Sequence, residues 1–557
     1  MIYSHKIIGT ILLYAVCISI VNGQQSNASK SKDDNNVDIL GSAAFNASSY
    51  DINGIAPRQG RYQYNFRFNP IVEYDELILP IRIIASEQGA QFGEPYLEFG
   101  IRPKYKWVKM HLGYSQMQLS PLIMRHQTFL GTGVELNPGL FRFSSFYGRL
   151  RKPSSDISKQ ILQPQFKRTG WGGTIGIGTK KNYVDLVLFK AKDDLSTLSN
   201  VSDSLRSTIP AQENLITGIT SRLNLFKELI DFHFDITGSA FTRNIRTDDI
   251  SLEKQDIPDF LYQLYTPRIT SQINWAGESK LTVNFDNSKA GVSYERINPG
   301  YRSLGINYLS DDVENITLHG STKLFERKLF ISGRYGIQHD NLNKEQTSKT
   351  QRNIGSINIQ YNPASIFGLS LQYANFTIDE VVVKNTITPV IDSFFINQTN
   401  HNFNMMSRFT FMENRTAHNL VFVSNYQQLV DQNYANTGIF SGNVNYGIIL
   451  SNLQLQLRGG LNYNRIERSY FSADRYGASI SAQKRFFRNK LNVRIKELYN
   501  LYSRNNEDGS ISNSTLYLSY RLSGKQKIQF RLYGIKNTLP SNSFFEIKGS
   551  LGYNVNF

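Results

Sequence analysis

Apolar and polar residues alternate with a period of two along most of this chain. In residues 61–68, Tyr62, Tyr64, Phe66 and Phe68 alternate with Arg61, Gln63, Asn65 and Arg67. In 230–237, Ile230, Phe232, Phe234 and Ile236 alternate with Asp231, His233, Asp235 and Thr237. Residues 453–458 and 491–496 read Leu-Gln-Leu-Gln-Leu-Arg and Leu-Asn-Val-Arg-Ile-Lys. A period of two sends successive side chains to opposite faces of a strand, so each segment predicts a strand with one apolar and one polar face. In a soluble sandwich the apolar faces would form a core. In a membrane barrel they meet lipid and the polar faces line a lumen.

The links between strands favour the barrel. Tight turns are predicted at 74–76, 137–139, 286–289, 325–328, 362–365, 413–416 and 523–526. Longer polar links fall between them, at 152–168, 192–212, 338–350, 378–398 and 503–510. Short periplasmic turns alternating with longer external loops are the asymmetry of outer-membrane barrels. From Arg61 onward the pattern gives about 25 strands, and residues 39–52 supply one more, so the expected total is about 26, an even number. The Pro-Gly pair in Asn298-Pro299-Gly300-Tyr301 marks a link with two readings, an inward fold and, favoured over it, a plain turn.

The amino terminus adds export. His5 and Lys6 precede an apolar run from Ile7 to Val21, and Asn22-Gly23 follows. That is the layout of a cleaved signal peptide, and the run is shorter than the ~20 residues of a spanning helix. Cys17 lacks the small residue directly before it that a lipobox requires. The expected organisation is therefore a signal peptide at 1–23, a polar disordered stub at 24–38 and a transmembrane barrel at 39–557. Such a stub is too short for a plug or a periplasmic domain.

Composition then narrows the chemistry. Cys17 is the only cysteine, so the chain beyond residue 23 has no disulfide and no cysteine metal site. The net charge of +16 falls to +15 without Lys6, and export rules out nucleic acid as the partner of this basic chain. The histidines beyond residue 23 (His111, His126, His233, His319, His339, His401 and His418) are scattered over separate hairpins, and no catalytic site, cofactor or metal site is nominated. Acidic clusters at Asp193-Asp194, Asp311-Asp312-Glu314 and Glu507-Asp508 contain no twelve-residue calcium loop and read as solvated loop charge. Arg67, Arg458, Arg494, Lys496, Arg531 and Lys548 fall on the polar faces and are the candidate lumen cations. Their charge would favour anions, unless Asp231, Asp235 and Glu546 neutralise it.

The last strand alternates Phe545, Ile547, Leu551, Tyr553, Val555 and Phe557 with Glu546, Lys548, Ser550, Asn554 and Asn556. It resembles the terminal strand of bacterial outer-membrane proteins. That resemblance implies that Tyr553, Val555 and Phe557 are the assembly signal read by the barrel-assembly machinery. Residues 129–151, 166–194 and 292–318 resemble a family of large, mostly uncharacterised outer-membrane barrels of Bacteroidota. This second likeness implies membrane and architecture, and carries no activity.

The expectation is thus an all-β, transmembrane antiparallel β-barrel of about 26 strands in the cell outer membrane, in contact with lipid and lipopolysaccharide. Two functions fit: a porin-like channel with a basic lumen, or a non-enzymatic subunit of an outer-membrane assembly or secretion complex. In the second, the lumen is occluded by loops or a partner.

Overall fold

The computed structural model describes residues 37–86, 96–154, 164–198, 201–250, 264–346, 348–382, 397–431, 436–504, 507–538 and 543–557. The proposed signal peptide and all but the end of the stub lie outside them. Twenty-seven strand segments, β1 to β27 in chain order, form one antiparallel sheet that closes on itself. Two segments, β4 (Tyr96–Ile101) and β5 (Lys104–Tyr105), occupy one position in the wall, so the barrel has 26 strands. The expected extra strand is β1 (Asp38–Asn53), and it pairs with β27 (Phe544–Asn556) to close the barrel. Beyond that ladder Gly41 N–H donates to the Phe557 carbonyl and Phe557 N–H to the Gly41 carbonyl, both at 3.1 Å. Closure leaves no strand edge unpaired, which a wall surrounded by lipid requires.

The alternation read from sequence sets the faces. On β12 (Ile230–Thr242), Asp235 and Thr237 point inward and are almost fully buried, while Ile236 between them is 56% exposed on the outside. On the outer face Tyr373, Phe403, Tyr426 and Phe440 stand directly opposite one another on four successive strands, and Tyr463 faces Tyr476 farther along. An aromatic row of this kind suits the boundary between hydrocarbon and headgroups.

Both chain ends of the barrel lie with the tight turns, as the parity of the strands requires. Two links depart from expectation. The segment 503–510 is not a long link, because Arg504 pairs directly with Glu507 across a tight hairpin. The link from Asn298 is not a plain turn. Its Tyr301 is 0% exposed, because the loop 298–312 folds into the lumen and meets a second inward loop, 117–127.

Candidate functional site in the lumen

The lumen has two unlike walls. One runs from β6 (Val108–Gln116) through β7 (Thr128–Leu136), β8 (Phe141–Arg151), β9 (Lys167–Gly178), β10 (Tyr183–Asp194), β11 (Glu213–Leu225) and β12 to β13 (Ser271–Asn284) and β14 (Ser288–Ile297). Against it lie the two inward loops. Leu119, Ile123 and Met124 of the first loop pack on inward-facing Phe129, Phe146, Phe189 and Ile216. Leu122 and Tyr301 pack with Ala276 and Ile297. The loops are joined by a parallel bridge between Met124 and Gly305 and by the Ser303 hydroxyl, which donates to the Ile123 carbonyl at 2.5 Å. Tyr301 donates to the Leu122 carbonyl at 3.0 Å and shares a 2.8 Å hydrogen bond with Thr237 of the wall. Burial pushes the pKa of the Tyr301 hydroxyl up, so it stays a donor. Gly305 sits so close that a Cβ there would lie 2.5 Å from the Ile123 carbonyl oxygen.

In this packed wall, basic residues meet carboxylates. Arg142 forks onto Asp185 at 2.8 and 2.9 Å, and Arg222 onto Asp231 at 3.1 and 2.8 Å. Arg151 and Arg168 share the buried Asp193, and Lys109 and His111 share Glu135. Asp193 is therefore not solvated loop charge. The second acidic cluster is also structural. Asp311 accepts from the Gly300 N–H and pairs with Arg302, Asp312 accepts from the Asn341 and Leu342 N–H groups, and Glu314 pairs with Arg296 and His339.

The other wall is formed by β22 (Leu455–Arg468), β23 (Phe471–Phe486), β24 (Leu491–Arg504), β25 (Glu507–Arg521), β26 (Gln526–Thr538) and β27, closing on β1. Among the described loops, the one between β1 and β2 touches it at the Lys548 end, through Gln59 and Arg58. The register gathers five of the six candidate cations into two adjacent cross-strand rows here. One row reads Arg458, Ser481, Lys496, Thr515, Tyr533, Lys548. The next reads Gln456, Gln483, Arg494, Tyr517, Arg531, Ser550. Arg67 stands apart on β2 (Tyr62–Tyr74), in a row nearer the tight turns with Arg521 and Lys527.

None of the six cations pairs with a carboxylate among the described residues. Arg494 donates through Nε and Nη2 to the Gln483 amide oxygen at 2.8 and 2.5 Å. With the Gln456 amide oxygen turned toward it, Arg458 donates at 3.1 and 2.8 Å. Arg531 lies over the Tyr517 ring at 5.7 Å, and Lys548 donates to Gln59 at 3.3 Å. The acids expected to neutralise them are engaged elsewhere. Asp231 is held by Arg222, Glu546 pairs with Arg58 at 3.3 Å, and Asp235 is sealed beneath the inward loop. Tyr553 and Phe557 lie on the outer face of the closing seam, where Phe557 packs 6.1 Å from Phe68.

No family model matches this chain, and no curated protein matches it. Among solved structures it is similar to the P pilus usher (PapC) translocation pore, at 10% identity and TM-score 0.40, over 93% of this chain and 99% of that one. It is also similar to an anion-selective porin from Comamonas acidovorans, at 10% identity and TM-score 0.27, over 49% and 97%. OprD of Pseudomonas aeruginosa gives 10% identity and TM-score 0.31, over 62% and 90%. Likenesses this distant carry no argument about function. The fold rests on the strand register itself.

Sequence reasoning missed the residues that hold the inward loops. A signal was present: 183–191 (YVDLVLFKA) and 141–150 carry apolar residues on both faces. Strands apolar on both faces are buried on both, which points to something inside the barrel at those strands.

Proposed function

We propose that this chain is an outer-membrane diffusion channel with a preference for anions, its lumen narrowed from one side by its own loops. The observation that carries the reading is the open wall, where five cations share two adjacent rows and none pairs with a carboxylate among the described residues. A positive, uncompensated surface at the edge of a low-dielectric wall concentrates anions along the path. The channel would reach the membrane as an exported precursor, contact lipid and lipopolysaccharide there, and be inserted by the assembly machinery through its last strand. The test is reversal potential in a salt gradient across a planar bilayer. Wild-type protein is expected to favour anions, and Arg458→Glu/Arg494→Glu/Arg531→Glu to favour cations. A folded, conducting triple variant with unchanged potential would overturn the reading.

The second reading, a subunit of an outer-membrane complex with an occluded lumen, is favoured by one observation: two loops already fill part of the interior. Its expected result is absence of conductance in wild-type protein, with conductance restored when the loops are removed.

A further inference from the structure

We propose that the open wall is a binding track for an extended acidic oligosaccharide, a chain bearing carboxylate or sulfate groups at intervals. The inference rests on the anion-channel reading and names the class of solute for that same wall.

Spacing is the first argument. Hydrogen-bonded strands lie about 4.8 Å apart. Arg458 and Lys496 are two strands apart in their row, and Lys496 and Lys548 are three. Successive cations therefore recur roughly every 10–14 Å around the wall. Arg494 and Arg531 repeat the shorter interval in the adjoining row. A single small oxyanion can touch two of these groups at most, such as Arg494 and Lys496 two residues apart on β24. A chain whose charges recur along its length can touch several, and each contact after the first becomes intramolecular.

The partners of the cations are the second argument. The carboxylates of the packed wall cancel charge. An amide oxygen or a phenol ring directs a guanidinium and leaves its charge intact. Gln483 takes Nε and Nη2 of Arg494 through one oxygen, Gln456 can do the same for Arg458, and Tyr517 lies under Arg531. The guanidiniums are thus oriented along the wall with donors left over for a ligand.

The residues between the cations decide the class of chain. Ser481, Thr515 and Tyr533 alternate with the cations of the first row, and Tyr517 sits between those of the second. Hydroxyls and flat phenol rings match a hydroxylated sugar backbone between its charged groups. A polyphosphate would take the hydroxyls as donors but leave the ring faces without a match.

The test uses the full-length barrel purified in detergent, with fluorescently labelled oligogalacturonate as the probe and polarisation as the readout, so that it does not depend on conduction. An oligomer long enough to cross the patch is expected to bind roughly 100-fold more tightly than galacturonate monomer. Lys496→Gln/Lys548→Gln is expected to abolish most of that advantage, and Arg222→Gln, on the opposite wall, to leave it intact. Equal affinity of monomer and oligomer, or an unaffected Lys496/Lys548 variant with native heat-modifiable mobility, would overturn the track. Binding of polyphosphate in place of oligogalacturonate would overturn the sugar assignment. Bilayer selectivity measured on the same preparation separates the two levels. Anion preference without oligomer binding sinks the track alone, whereas loss of both sinks the channel reading with it.

Discussion

The two walls of this lumen are built from the same kind of strand yet spend their charge differently. On the packed wall Arg142, Arg168 and Arg222 each face a carboxylate, and Arg168 with Asp193 is the most buried of the three pairs. On the open wall Arg458, Arg494 and Arg531 face amides and a ring. Desolvation explains the contrast where burial is deepest, at Arg168 over the fully buried Asp193. A cation shut away from water must be paired to be tolerable, whereas one facing a wet lumen needs no counter-charge. Charge on the first wall therefore serves folding, and charge on the second is free to act on solutes.

The strongest way to break this comparison is to make the walls alike. Replacing 118–126 and 299–311 with short Gly-Ser links should expose the packed wall and raise single-channel conductance several-fold, with anion preference kept because the open wall is untouched. Unchanged conductance would show that the loops do not narrow the path.

A smaller effect is expected from Tyr301→Ala. It removes a fully buried ring and two hydrogen bonds, worth about 3–5 kcal/mol of loop anchoring. Hydrogen exchange should rise in 117–127 and 298–312 and stay unchanged in β22 to β27. Protection lost throughout the barrel would mean that the loops are part of one cooperative unit with the wall.

The charge contrast itself predicts unequal costs. Arg142→Gln leaves Asp185, nearly buried, without its fork, and should cost about 3 kcal/mol in refolding into lipid vesicles across a denaturant series. Arg494→Gln should change stability by no more than about 0.5 kcal/mol while lowering anion preference. Equal costs would erase the distinction between the walls.

How much of this was legible beforehand follows from what periodicity encodes. Faces, closure and strand number come from local alternation and parity, and β1, β12 and β27 were readable from those alone. The six candidate cations share the polar face for the same reason. Their clustering was not readable, because cross-strand register depends on every turn between β22 and β27. One such turn, the hairpin between Arg504 and Glu507, was misjudged as a long link. Inward loops escaped for another reason: Pro299-Gly300 specifies a bend, and Gly300 does adopt φ +78°, but a bend does not say which side of the wall the chain then takes. Only Phe146, Phe189 and Ile216 on the lumen side tell that.

The smallest effect concerns Asp235, an acid of the packed wall with no cation partner among the described residues. Asp235 is fully buried and neither of its carboxylate oxygens completes a hydrogen bond. The Ser120 hydroxyl and the Leu122 N–H of the inward loop are its nearest donors. Directly beside it in the cross-strand row stands Glu278, and beside that Glu295. A buried, unpartnered carboxylate next to a like charge opposes docking of the loop above it. Asp235→Asn removes that charge, keeps the shape, and offers an amide N–H toward Glu278 and an oxygen toward Leu122. It should therefore stabilise the docked loop, by about 1 kcal/mol, seen as slower hydrogen exchange in 117–127 with anion selectivity unchanged. The sign is the informative part. Faster exchange in the Asn variant would mean that the carboxylate is needed as such, held by a proton or a cation shared with Glu278, and the packed wall would then owe part of its closure to this acidic row.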